Sequence, residues 1–471
     1  MTLKTRSEIR VRQTQRELER TREEISAWCT KWKARDKRQQ FATPRRLLEE
    51  VLVRALVQLR SEIDKLPGTK SVGSVYAECA RFDRNIAWVR RLWQYYALKF
   101  DQRENEEFKP VLAAADEIVW SCYAEAFQNA AGGAARGPAP LPYLEPLYSA
   151  QATPRVDIPP DLRADVDRDF LFACLEQLPI SLVALPSQCV DAPWWLIFLG
   201  HEVGHHVQFD LLPPRELFVA FGKSLNVEVD KEFPGQGQRW RRWSPEIFAD
   251  AYSVHAMGPW AARAMSELET KDDLAMLTEN SSGKSAYPAP WVRLDFLSKL
   301  SAALDPNDRS PEVTPPIAPE PNGALLREQA EDAIKAVPKI VNTVVTESFQ
   351  NLGTLQKVCG WQSTFFTSGG LVDYWAAALQ GDPEALRPEK SLFAPRLIIA
   401  GAFAAWSKVS VVADDREAER ARTNLIENLL SIIPLCAEEG VRAAEQQQET
   451  KPQQFADSLT SLLLTRAPQT V

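Results

Sequence analysis

Histidine is rare in this chain: four in 471 residues, three of them inside "LIFLGHEVGHHVQFD", residues 196–210. The order His201, Glu202, Val203, Gly204, His205 is an H-E-x-x-H pattern. On a helix, positions i and i+4 share a face, so both imidazoles can reach one ion. Two nitrogens so spaced suit adjacent corners of a tetrahedral Zn2+ site. Glu202 directly follows the first ligand. There it can approach a water in the open corner and act as general base. His206 points about 100° away from His205 around the helix, which gives it a structural role.

A catalytic zinc needs a third protein ligand. An extended H-E-x-x-H-x-x-G-x-x-H pattern would place glycine and histidine where this chain has Gln208 and Leu211, so that class is excluded. The remaining common arrangement is a glutamate on a later helix. "SPEIFADAYSV", from residue 244, offers Glu246 with Asp250 four residues on, again one helical face. Glu246 is then the third ligand. Asp250 would accept the ring N–H of a ligand histidine and fix its tautomer; Asp250 as the direct ligand is the other arrangement of the pair. The apolar neighbours in "IFADAYSV" turn both carboxylates inward. His255, nine residues past Glu246, falls on the opposite face and is not expected to ligate.

H-E-x-x-H followed by E-x-x-x-D resembles the gluzincin metallopeptidases, over residues of about 180 to 300. That resemblance implies a zincin-like core, a Zn2+ cofactor, and hydrolysis of a protein or peptide substrate by zinc-activated water. It also implies an edge strand shortly before the first helix that holds the substrate backbone; "ISLVALP" (180–186) stands in that place. "AYPAPWVRLDFL" is similar to the late His-Pro…Arg motif of the CAAX-prenyl-endopeptidase-like branch, through Pro288 and Arg293, with Tyr287 where that branch has histidine. The similarity implies Tyr287 as a hydrogen-bond donor to the oxyanion. Arg293 either touches substrate or pins the two metal-site helices. A G-x-M-E-N type strand for a free N-terminus is absent, which favours an endopeptidase over an aminopeptidase.

The elements that must position these residues are mostly helical. Asp191 as N-cap and Pro193 in the first turn predict the start of the H-E-x-x-H helix, with "WWLIFL" as a buried approach. Ser244 and Pro245 predict the start of the Glu246 helix. Between them, a helix around 214–225 and a loop "EVDKEFPGQGQRWRRW" are expected. The basic aromatic "RWRRW" (239–243) is expected to pack beside the metal-site helix rather than to stack on nucleic acid. "ADVDRDFLFACLEQLP" (164–179) predicts a helix, "ISLVALP" a strand, and "YPAPWVRLDFLSKLSAAL" (287–304) a proline-led helix.

Around that core the chain divides into an N-terminal helical region (1–130), a Gly/Ala/Pro-rich linker or loop (131–163) of the kind that can lie over a site, and a zinc metallopeptidase core (164–304). A Pro-rich linker (305–323) and a C-terminal helical region (324–471) follow. Near the N-terminus, Val11, Leu18, Ile25 and Trp32 recur every seven residues, with Thr14, Thr21 and Trp28 as a weak companion series. This predicts a long helix laying a narrow stripe on the body or on a partner. The fold class is mainly α, a zincin-like metallopeptidase core with a small β-sheet and helical flanks.

A net charge of −8 argues against a nucleic-acid partner. The longest apolar runs, "WWLIFLG" and "LIIAGAFAAW", fall short of the roughly 20 residues that cross a bilayer. The N-terminus lacks an apolar signal segment. Seven dispersed cysteines without a C-x-x-C pair fit reduced thiols and a cytoplasmic location. The functional expectation is a zinc-dependent peptidase, an endopeptidase, whose helical flanks dock a target or regulator. The alternative is a helical binding or assembly protein with a structural or degenerate zinc site. An intact Glu202 favours the first, because a structural site needs no general base.

Overall fold

The computed structural model describes residues 3–66, 71–129, 138–153, 162, 168–178, 180–212, 215–282, 285–305, 313–317, 323–349, 352–360, 366, 369–381, 390–410, 415–437 and 452–465. These residues are mainly helical, with one three-stranded sheet and one short hairpin. Among them, no helix is long and apolar enough to cross a membrane.

The chain opens with α1 (Leu3–Arg35), then α2 (Ala42–Leu47), a π-helical turn, α3 (Arg54–Asp64) and α4 (Val72–Asp101). The seven-residue stripe of α1 is satisfied within the chain. Val11, Leu18, Ile25 and Trp32 are buried, as are Thr14, Thr21 and Trp28, and α1 packs along α4. Polar contacts set the register of the two helices. Arg90 donates to Glu17 at 2.6 Å, and the indoles of Trp28 and Trp32 both donate to Asp101 Oδ1 at 2.9 Å.

After α5 (Lys109–Asn129), residues expected to be linker or loop carry two strands, β1 (Leu141–Glu145) and β2 (Gln151–Thr153). Next come α6 (Arg168–Glu176) and β3 (Leu182–Pro186), the predicted strand. The sheet order is β1-β3-β2, with β1 parallel and β2 antiparallel to β3. "ISLVALP" is therefore the central strand, not the edge strand. Its unbroken apolar run reflects burial on both sides and both flanks. The outer edge of β1 is closed by side chains. Gln102 both donates to and accepts from the Leu144 backbone, at 2.8 and 2.7 Å, and Arg103 donates to the Pro142 carbonyl at 2.8 Å. The outer edge of β2 faces a cleft.

A 3-10 helix over Pro193–Phe198 leads into α7 (Leu199–Asp210), the H-E-x-x-H helix. The expected cap is corrected here. Ala192, not Asp191, sits at the start of the 3-10 turn, and no side chain caps it. The α-helix begins only at Leu199. Then come α8 (Glu216–Glu232) and α9 (Gly237–Met257). Both overrun the expected boundaries: "RWRRW" is not loop but the first turns of α9, and Pro245 lies inside the helix. Trp240 and Trp243 are fully buried and pack edge to face at 5.1 Å. Their burial holds this stretch helical despite the proline, and it removes both rings from any nucleic acid.

The rest of the core is α10 (Pro259–Glu269), α11 (Asp273–Leu277), the hairpin β4 (Asn280–Ser282) and β5 (Ser285–Tyr287), and α12 (Pro290–Leu304). Tyr287 thus ends a strand rather than starting a helix. The predicted Pro-rich linker lies largely outside the described residues. α13 (Gly323–Thr346), α14 (Leu355–Val358), α15 (Leu371–Ala378), α16 (Ala394–Val409), α17 (Asp415–Ile432) and α18 (Pro452–Thr465) complete the chain. Two apolar clusters form. One centres on α7, α9 and α16 and includes α5; the other joins α1, α3 and α4 to α6 and α18.

Candidate metal centre

The centre depends on how closely α7 and α9 approach. A Cβ on Gly204 would stand 2.9 Å from the Ala249 Cα and 3.0 Å from the Tyr252 Cβ. The first is closer than Cβ atoms come to backbone, so at this crossing any larger residue would force the helices to shift. The flanking histidines thereby face the carboxylates of α9. His201 Nε2 is 3.2 Å from His205 Nε2 and 3.3 Å from Glu246 Oε2; His205 Nε2 is 3.7 Å from Glu246 Oε1. Donors about 2.0–2.1 Å from a tetrahedral ion stand roughly 3.3–3.4 Å from one another. The three side chains therefore fit a His-His-Glu site for a metal ion, and all three ligand atoms lie within 4.8 Å of one another.

Behind the ligands lies a buried charge ladder. Asp250 Oδ1 stands 2.9 Å from His201 Nδ1, which turns His201 Nε2 toward the cluster. Arg293, on α12, grips Asp250 with two nitrogens, Nε to Oδ2 at 2.7 Å and Nη2 to Oδ1 at 2.8 Å. Its Nη1 donates to Glu269 on α10 at 2.8 Å, and Nη2 lies 3.8 Å from Glu246 Oε2. With 4% of its surface exposed and its nitrogens committed to carboxylates, Arg293 ties α12 to α9 and α10.

Burial and charge act against each other here. Burial disfavours protonated His201, but Asp250 and Glu246 outweigh it and raise its pKa to about 10. Burial lowers His205 to about 4. Burial pushes Asp250 and Glu246 up. Arg293 nevertheless holds Asp250 well below the usual carboxylate range, and His205 then His201 hold Glu246 below it. Burial pushes Glu202 up to about 7, against the pull of His201 and a hydrogen bond from the Ala152 backbone. A carboxyl poised near neutrality can both take and return a proton. Burial, then the negative charge of Glu246, keeps the Tyr287 phenol protonated.

All these groups except Asp250 line one open cleft of about 1340 Å³. Ser149–Ala152 form one wall, and α10 and α11 the other. The strand that meets the site is β2, whose Gln151 and Ala152 line the cleft beside Glu202 from the open edge of the sheet. This overturns the expectation that "ISLVALP" borders the cleft. It supports from behind instead: His206 Nε2 donates to the Leu182 carbonyl at 3.1 Å and ties α7 to β3. His255 stands outside the three-ligand group, with Nδ1 2.7 Å from the Ala251 carbonyl.

Sequence reasoning missed β2, Glu269 and the part played by Gly204. A glycine between two histidines on one helix was a usable sign of close helix approach. Glu269 carries no local signal, because only the fold brings it to Arg293. No family model matches this chain, and no curated protein or solved structure matches it.

Proposed function

We propose that this chain is a zinc-dependent peptidase, acting as an endopeptidase on a zincin-like core. The observation that supports this most is the tetrahedral spacing of His201, His205 and Glu246 beside a buried Glu202 in an open cleft. The two histidine nitrogens and one carboxylate suit zinc, and three protein ligands leave a corner free, as catalytic sites require and closed structural sites do not. When bound, the ion supplies a Lewis acid that polarises the scissile carbonyl and acidifies water.

The residues then divide the work. An extended substrate adds to the free edge of β2, which fixes the backbone by main-chain hydrogen bonds. Glu202 takes a proton from the attacking water and delivers it to the leaving amine. Tyr287, protonated and at the cleft wall, offers its hydroxyl to the carbonyl oxygen as charge develops there. Asp250 and Arg293 hold His201 and never touch substrate. The chain lacks a G-x-M-E-N type strand for a free N-terminus, which favours an endopeptidase over an aminopeptidase. The seven cysteines are all buried and unbonded, in keeping with a reducing, cytoplasmic setting. The helical flanks are the surfaces on which a target or regulator would dock.

The test measures bound zinc, and cleavage of a proteome-derived substrate mixture, for wild type and Glu202→Gln. About one zinc per chain in both proteins, with cleavage by wild type alone, is the expected result. Wild type purified without zinc, and unable to take it up, would overturn the proposal.

A further inference from the structure

Beyond His205 the cleft continues along a short line of residues. Phe209 follows His205 by one turn of α7, and its ring stacks on Phe218 of α8 at 5.1 Å and 19°. Arg215 stands one turn before Phe218, at the start of α8. All three line the same cleft as the metal ligands.

Among the described residues, three cations line the cleft. Arg293 is bound by Asp250 and Glu269, and Lys271 pairs with Glu269 at 2.9 Å. Among the cleft's outer acids, Glu279 is taken by Arg239 at 2.8 Å, and Asp272 caps α11 through the Ala275 N–H at 3.0 Å. The Arg215 side chain is exposed and makes no ion pair or hydrogen bond among the described residues, its backbone carbonyl alone accepting one from Val219 at 2.9 Å. Its backbone is also left-handed, with φ 70° and ψ 4°, a conformation that disfavours a side chain as large as arginine. Backbone strain of this kind persists only where the surrounding structure holds it, and it clusters at binding and active sites.

We propose that this end of the cleft is a specificity subsite for a substrate carboxylate. An apolar substrate residue lies on the Phe209–Phe218 pair, and the acidic group beyond it, a side chain or the chain terminus, pairs with Arg215. The inference rests on the peptide-binding reading of the cleft, but not on cleavage.

Its test therefore reads binding first. The zinc-loaded Glu202→Gln chain is probed with a positional-scanning peptide array, in which acids are exchanged for amides and free C-termini for amidated ones. Loss of the preferred acid is expected to weaken binding about tenfold, as for one charge-assisted contact. Sensitivity to Glu-to-Gln exchange identifies a side-chain acid; sensitivity to terminal amidation identifies the chain terminus. Adding Arg215→Glu should turn the preference to lysine. Arg215→Gly, which suits the positive φ and so preserves the fold, should abolish it. Equal binding of acid and amide, or an acid preference that survives Arg215→Gly, overturns the subsite. A preference that follows Arg215 in a wild-type chain that cleaves nothing sinks the peptidase reading and leaves the subsite standing.

Discussion

At the scale of single residues, the candidate metal centre is built from paired side chains rather than from any one of them. Asp250 is fully buried between His201 and Arg293. Asp250→Asn removes the charge that orients His201 and should raise the zinc dissociation constant about 10- to 100-fold, as outer partners of metal ligands typically do. Competition with a chromophoric chelator measures this directly, and unchanged affinity would show that the contact is idle. His255 gives a second test. It is buried and neutral, its pKa lowered to about 4 from an ordinary 6.5. The unfolded chain binds a proton between those values and the folded chain does not. Stability is thus complete above about pH 6.5 and falls as pH drops toward 4, by about 3 kcal/mol from this group. Urea unfolding of His255→Leu should therefore show a shallower loss between pH 6.5 and 4.5 than wild type.

At the scale of elements, the decisive contact is the α7–α9 crossing. Gly204→Ala would force the two helices apart or bend them, at a cost of about 1–3 kcal/mol. Because the same crossing sets the His201–Glu246 distance, the variant should lose metal affinity along with stability. A variant that loses stability while binding zinc as wild type does would separate packing from the site. The crossing also marks how far local patterns reach. The i, i+4 spacing of His201 with His205 and of Glu246 with Asp250 was legible, because helical periodicity is a local rule. Where α9 begins was not legible. Ser244–Pro245 is a sound start signal, but the buried indoles of Trp240 and Trp243 override it.

At the scale of the whole molecule, the ends of the chain meet. α18 buries Leu459 and Leu463 against the N-terminal helices, and Asn85 and Arg81 donate to the carbonyls of Leu463 and Leu464 at 2.8 and 2.6 Å. The candidate metal centre belongs to the other cluster. A chain ending at residue 437 should lose protection from hydrogen exchange in α1, α3 and α4, while still binding about one zinc per chain. Loss of zinc binding in that truncation would mean that the two cores fold as one unit.

What the sequence by itself determined is what repeats along a helix or declares itself by residue type. It sufficed for a mainly helical chain, the stripe on α1, the ligand candidates His201, His205 and Glu246, and Glu202 beside them. The tertiary structure alone decided which strand borders the cleft, where the Arg293 guanidinium is spent, and which cation is left over. Strand order depends on which edges are covered, and Gln102 and Arg103 close β1 from far along the chain. Charge partners depend on distance in space: Glu269 reaches Arg293 across 24 positions, and nothing in the intervening residues encodes that meeting.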